Sequence, residues 1–188
     1  MGNGLYCPNC EPKDPEYINI GFLHIINDRG NKKVEVEPGG VLNDYIPFYF
    51  CNKSPMLYTI YKGNVKEYAG TQEELIYLVS NVEEVRQAGI PYVFFDRHAK
   101  IQYAQPFNKY EDLSELKWDI INSDQWGRQY GDDRREYKQA EFLVHTHLPV
   151  SLIKGIITHN EEINAIVKQE VEKQGLHIQS IVRKDFYF

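Results

Sequence analysis

Residues 39–63 read GGVLNDYIPFYFCNKSPMLYTIYKG, and the conformation of this stretch decides how the chain folds. Tyr45, Phe48, Tyr49, Phe50, Tyr58 and Tyr61 crowd a segment that carries few charges and is bracketed by glycines. Pro47 and Pro55 bar a long regular helix, because proline lacks an N–H and clashes with the preceding turn. Two extended pieces are therefore expected. Alternation along a strand sends Phe48 and Phe50 to one face, to fill core, and Tyr49 to the other. The chain has 14 tyrosines. A tyrosine carries a flat apolar ring with a polar tip, so the excess reads either as stacking surface or as a tyrosine-rich core and rim.

Working outward, LIYLVS (75–80), PYVFFDRH (91–98), AEFLVHT (140–146), IKGIITHN (153–160) and HIQSIVRKDFYF (177–188) read as strands. YINIGFLHII (17–26) reads as strand or helix, stopped at Asn27-Asp28-Arg29-Gly30. Ser80 with Glu83 forms a capping box for a short helix ended by Gly89. Leu113, Leu116, Ile120 and Ile121 recur at helical spacing between Tyr110 and Trp126. A last helix spans Glu161 to Gln174, with Gly175 as its cap. Residues 7–16 and 31–40 read as loop and exposed connection, and GRQYGDDRREYKQ (127–139) as a mobile loop. Strands outnumber helices without alternating strictly with them. The expected class is α+β, in a single domain over residues 1–188.

The net charge of −6 argues against coating duplex DNA or a membrane surface. A short single strand remains compatible, because a few local cations and stacking rings suffice for it. Positive charge does concentrate mid-chain, at Arg97, His98, Lys100, Arg128, Arg134, Arg135 and Lys138 among others. The sequence contains no apolar run of membrane-spanning length. It begins without the basic and apolar regions of a secretory signal, so the cytoplasm is the expected compartment. Cys7 and Cys10 form a lone CxxC, with Cys51 the only other thiol. A structural zinc needs about four ligands. The pair therefore reads as two thiols in a loop, and no metal is expected.

Glu141 stands out among the acidic residues, one position into an apolar strand and directly after a charged loop. A carboxylate held rigidly in partly dry surroundings can stabilise developing positive charge; a solvent-facing glutamate at a strand start is the other reading. Asp96, Arg97 and His98 cluster at a strand end, where binding groups often sit, though a surface turn explains them equally. Arg29 follows an element end. The sequence lacks the usual phosphate-loop, dinucleotide, nucleophile-elbow and zinc-protease signatures.

PGGVLNDYIPFYFCNKSPMLYTIYKG, PYVFFDRHAK, KQAEFLV and RKDFYF, in that order, closely resemble the DarT family of bacterial toxins, which transfer ADP-ribose from NAD to bases of single-stranded DNA. The resemblance runs from Gly4 to Phe188. It implies an ADP-ribosyltransferase fold, with two β-sheets forming an NAD-binding cleft. Glu141 falls on the family's catalytic glutamate and Arg29 on an arginine implicated in catalysis. A guanidinium rarely deprotonates, so its expected part is orientation and charge stabilisation.

The resemblance also implies that Tyr49 packs on the nicotinamide and that His98 and Asp96 belong to the NAD site. The loop from Trp126 to Lys138 corresponds to the substrate-recognition loop, with Arg128, Arg134, Arg135 and Lys138 as DNA contacts. The expected substrates are NAD and single-stranded DNA, with thymine favoured as the modified base. The expected partner is a DarG-type macrodomain antitoxin, and the chain is expected to act as a monomer.

The resemblance departs from the family pattern in places. Family members begin with a further segment containing a YHITH-like motif whose histidine contacts NAD, and this sequence starts at what resembles the residues after it. The usual arginine doublet is Asp28-Arg29 here, and Asn43 replaces a histidine. A shortened chain that binds single-stranded DNA or an antitoxin without efficient transfer is the alternative expectation. Replacement of Glu141 is expected to abolish transfer and leave stability nearly unchanged.

Overall fold

The computed structural model describes residues 4–10, 18, 20, 22–66 and 68–188. Along the chain run β1 (Gly4–Tyr6), α1 (Leu23–Asn31), β2 (Tyr45–Tyr49), α2 (Pro55–Tyr61), β3 (Tyr77–Val79), α3 (Val82–Gln87), β4 (Tyr92–Phe95) and β5 (Pro106–Phe107). They are followed by α4 (Trp118–Ile121), α5 (Arg134–Tyr137), β6 (Glu141–His145), β7 (His147–Pro149), β8 (Gly155–Thr158), α6 (Glu161–Lys173) and β9 (Ser180–Val182). The organisation is α+β, and the strands divide among three sheets ordered β1-β7, β2-β6-β4-β5 and β3-β8-β9. Among the described residues no helix is long and apolar enough to cross a membrane.

The four-stranded sheet positions the site. Its central strand β6 pairs antiparallel with β2 and β4, and all its residues except the last are buried. Phe142 and Val144 project into the main core with Ile46, Tyr92 and Phe94. Phe48 and Phe50 pack against that same cluster, as the alternation requires. On the opposite face Leu143 joins Tyr45, Val93 and Phe95 in a second cluster completed by Val34, Leu42, Ala99 and Ala104.

Thr146, directly after β6, has φ +57°, a backbone region that a β-branched residue rarely enters. Two backbone hydrogen bonds hold it there. Its N–H donates to the Asp44 carbonyl, and its own carbonyl accepts from the Cys7 N–H, each at 2.8 Å. The bend carries the chain out of the four-stranded sheet into β7, which pairs with β1.

Local punctuation differs from the sequence expectation in several places. The second half of the aromatic stretch is a helix, with Pro55 at its start and the Ser54 hydroxyl accepting the Leu57 N–H at 3.2 Å. Proline is well tolerated there because that N–H has no intrahelical partner in any case. The helix after β3 is capped by Asn81, whose side chain accepts the Glu84 N–H, while the Ser80 hydroxyl donates to the Leu152 carbonyl. The 110–126 region is a 3-10 turn over Tyr110–Glu115 followed by the short α4, because Leu116 is extended and buried between them.

Asn27 to Gly30 do not stop the first helix, which runs to Asn31. The start of the 17–26 run and residues 11–16 of the expected loop lie outside the described residues. The 31–40 connection is not fully exposed, since Val34 enters the second cluster. Cys7 and Cys10 are joined as a disulfide rather than standing as free thiols. The last helix agrees closely with its reading, ending at Lys173 with Gly175 at φ +65°.

Candidate active site

Three side chains stand in register across the four-stranded sheet. Tyr49 of β2 and Phe95 of β4 both pair with Glu141 of β6, so all three project from the face opposite the main core. The Glu141 carboxylate lies at the strand end and is 2% exposed. Its Oε2 accepts from Arg29 Nη1 at 2.8 Å. Its Oε1 meets His98 Nδ1 at 2.7 Å and accepts the Ala99 N–H at 3.2 Å. An ionised carboxylate only accepts hydrogen bonds, so the Nδ1 proton of His98 points at it.

Burial is the largest influence on Glu141 and raises its pKa, but the charges of Arg29 and His98 and their hydrogen bonds outweigh it. The group is held down at about 2. It is therefore ionised at neutral pH, and Oε1 is saturated by two donors. Oε2 has a single donor among the described residues, which leaves it an acceptor position for a substrate hydroxyl.

Arg29 occupies the last turn of α1, where a cation complements the helix dipole. That helix buries none of its residues, so polar ties dock it. Asp28 pairs with Lys100 at 2.5 Å, and Lys32 Nζ donates to the Ile101 and Gln102 carbonyls at 3.3 and 3.4 Å. Gly30 allows the close approach to the Leu42–Asp44 turn, since a Cβ there would stand 3.1 Å from Asn43 Nδ2. Arg29 Nη2 is buried with no hydrogen-bond partner among the described residues. A buried guanidinium N–H without an acceptor is costly, which is consistent with a ligand oxygen at that position. Tyr49 is half-buried, and burial first, then the Glu141 charge, raises its hydroxyl pKa. It remains a neutral donor beside the carboxylate.

The whole chain, residues 1–188, matches the family described as "DarT: ssDNA thymidine ADP-ribosyltransferase, DarT". The chain belongs to the DarT family. A DNA ADP-ribosyl transferase of Thermus sp. (strain 2.9) is 42% identical over 178 residues, covering 93% of this chain and 83% of its own. One from Escherichia coli O127:H6 is 34% identical over 189 residues, covering 100% of this chain and 87% of the relative. Among solved structures, Thermus sp. 2.9 DarT in complex with ADP-ribosylated ssDNA superposes with a TM-score of 0.92 at 38% identity, covering 100% of this chain and 88% of that one. The same protein in complex with NAD+ gives 0.87 at 37% identity, covering 100% and 89%.

Within this DarT-family fold, Arg29 and His98 meet the Glu141 carboxylate, and Tyr49 stands beside it on the neighbouring strand. Two assignments need correction. Asp96 does not present a free carboxylate: it accepts from Arg97 Nε and Nη2 and from the Gln105 N–H at 2.9 Å, bracing the turn after β4. Lys138 is not poised for phosphate. It is 1% exposed, and its Nζ donates to the Ile121 and Ser123 carbonyls at 2.7 and 2.9 Å. Arg128 and Arg135 are exposed, and Arg134 is half-buried with Nε on the Gln125 carbonyl at 2.7 Å.

The segment expected to be a mobile loop instead carries α5. Sequence reasoning missed two contributors. The Ala99 N–H donor carries no side-chain signal at all. Lys32 looked like an ordinary lysine of a polar connection. Among the described residues no group of three or more His, Cys, Asp or Glu side chains converges as a metal site.

Proposed function

We infer that the chain transfers ADP-ribose from NAD to a thymidine base of single-stranded DNA. The glycosidic bond to nicotinamide breaks, a bond from the same ribose carbon to the base forms, and the base gives up a proton. The observation that carries this reading is the buried, ionised Glu141 clamped by Arg29 and His98, with one acceptor position left on Oε2. In this role Glu141 accepts a hydroxyl of the nicotinamide ribose and stabilises the oxocarbenium-like charge that develops as nicotinamide leaves. His98 and the Ala99 N–H fix the carboxylate's orientation. Arg29 orients the base and offers its free Nη2 to developing negative charge, because a guanidinium holds its protons too tightly to act as a base. Tyr49 packs on the nicotinamide ring.

Arg128 and Arg135, with Arg134 behind them, contact DNA phosphates. We place the reaction in the cytoplasm, carried out by a monomer whose counterpart is a macrodomain antitoxin of the DarG type. These extensions rest on the family resemblance. The test is mass spectrometry of a short thymine-containing oligonucleotide incubated with protein and NAD. The expected product carries one added ADP-ribose on thymine, with nicotinamide released in equal amount. An unmodified oligonucleotide, under conditions where calorimetry detects NAD binding, would replace this reading with one of binding without transfer.

A further inference from the structure

Arg97 joins two parts of the molecule that the chain separates by some forty residues. Its side chain is 11% exposed. Nε and Nη2 donate to the Asp96 carboxylate at the end of β4, Nη1 donates to Glu136 at 3.1 Å, and Nη2 also donates to the Tyr137 hydroxyl at 2.6 Å. The guanidinium lies 4.2 Å from the centre of the Tyr137 ring and 5.0 Å from that of Tyr103. The Tyr103 hydroxyl in turn donates to Glu136 at 2.9 Å.

The element so gripped, α5, has four residues, buries none of them and has no side-chain cap. A helix this short does not persist on its own. Arg97 grips it from one side, and Lys138 pins the chain just beyond it to the Ile121 and Ser123 carbonyls. Two of the segment's three arginines, Arg134 and Arg135, sit on α5 itself, and the residue after Arg97 is His98, which holds Glu141.

We propose that Arg97 is a positioning residue for the DNA strand: by clamping Glu136 and Tyr137 it sets α5 and its arginines at a fixed placement relative to Glu141. This rests on the reading of the Trp126–Lys138 segment as the DNA-facing one. The planar fork and ring stacking are what arginine supplies and lysine does not.

The test is steady-state transfer with varied oligonucleotide at saturating NAD, together with calorimetric NAD affinity, for Arg97→Met, Arg97→Lys and Tyr137→Phe. Loss of charge-assisted hydrogen bonds predicts that Arg97→Met raises the KM for oligonucleotide about 10- to 100-fold. Neither kcat at saturating oligonucleotide nor the Kd for NAD should change much, and Arg97→Lys should not restore KM. Tyr137→Phe removes one hydroxyl and should raise KM by about 2- to 10-fold. That variant keeps the test decisive if Arg97→Met fails to fold.

An unchanged oligonucleotide KM, or an equal loss of NAD affinity, overturns the proposal. Arg128→Gln and Arg135→Gln separate the two levels. If they leave KM unchanged, the DNA-facing reading falls and the proposal with it. If they raise KM while the Arg97 and Tyr137 variants do not, the role of Arg97 alone falls.

Discussion

On one face of the four-stranded sheet Phe142 and Val144 meet Ile46, Tyr92 and Phe94 in an entirely apolar cluster. On the other face, alternate residues of the same strand divide: Leu143 keeps apolar company with Tyr45, Val93 and Phe95, while Glu141 faces Arg29 and His98. Both faces are dry, so they differ in chemistry rather than in exposure. The apolar face contributes stability through burial. The other face ends in a buried ionic group whose low pKa depends on Arg29, delivered from α1, and on His98, delivered from the turn after β4. Rigidity made on the first face is what lets the second hold a charged constellation in place.

The largest test of this contrast is Glu141→Gln. Removing a preorganised electrostatic group is expected to lower transfer by about 10²–10³-fold. It also leaves Arg29 and His98 without their anion, and breaking a buried pair costs about 3–5 kcal/mol. A fall in Tm of roughly 10 °C is therefore expected. This replaces the sequence-based expectation of unchanged stability, which took no account of the ion pair and hydrogen bonds that hold the carboxylate at 2% exposure.

The pH profile has a definite sign. A carboxylate lowered from 4.5 to about 2 in the folded state contributes stability that is present above its unfolded pKa and lost as pH falls through the folded one. The parent should lose that contribution between pH 4.5 and about 2, and Glu141→Gln should lack that part of the slope. Calorimetric melting of the two proteins across this range checks both statements. Identical melting profiles would show that the ionic cluster does not hold the fold.

Phe142→Ala probes the opposite face. A buried phenylalanine replaced by alanine costs about 3–5 kcal/mol, and kcat measured well below the lowered Tm should stay near the parent value. A large fall in kcat of the folded variant would show that the two faces are not separable.

The smallest effect concerns two cations of one segment. Lys138→Met strands the Ile121 and Ser123 carbonyls and should cost about 1–3 kcal/mol in urea unfolding, with no change in the salt dependence of oligonucleotide binding. Arg135→Gln should do the reverse, leaving stability alone and flattening the slope of log K against log salt by about 0.7, as for one lost phosphate contact on a single strand. If Lys138→Met also flattens the slope, its burial does not describe the DNA-bound state.

Much of the site was legible because its residue types are rare in their settings. An acid one residue into an apolar strand marks Glu141, and alternation places Phe48 and Phe50 on the core side and Tyr49 on the other, where the strand register sets it beside the carboxylate. Asp96 and Lys138 misled because a charged residue at a strand end or in a polar loop looks the same whether it meets water, a ligand or a backbone carbonyl. Pro55 misled as well, since a helix-breaking residue in the middle of a helix is an ordinary residue at its first position.

By itself the sequence determined the α+β class, the strand that carries Glu141, the alternation of its faces and the family resemblance. The first three follow from local periodicity and residue type, and the resemblance from motifs in a fixed order, all of which a linear reading preserves. Only the tertiary structure decided that Arg29 reaches Glu141 across 112 positions, that His98 and the Ala99 N–H hold the other oxygen, and that Lys138 is buried while Arg135 is exposed. The physical reason is that a charge takes its meaning from the partner it meets and the water it loses. Those partners come from the docking of separate elements, here α1 on the turn after β4 and α5 on Arg97, which no spacing along the chain records.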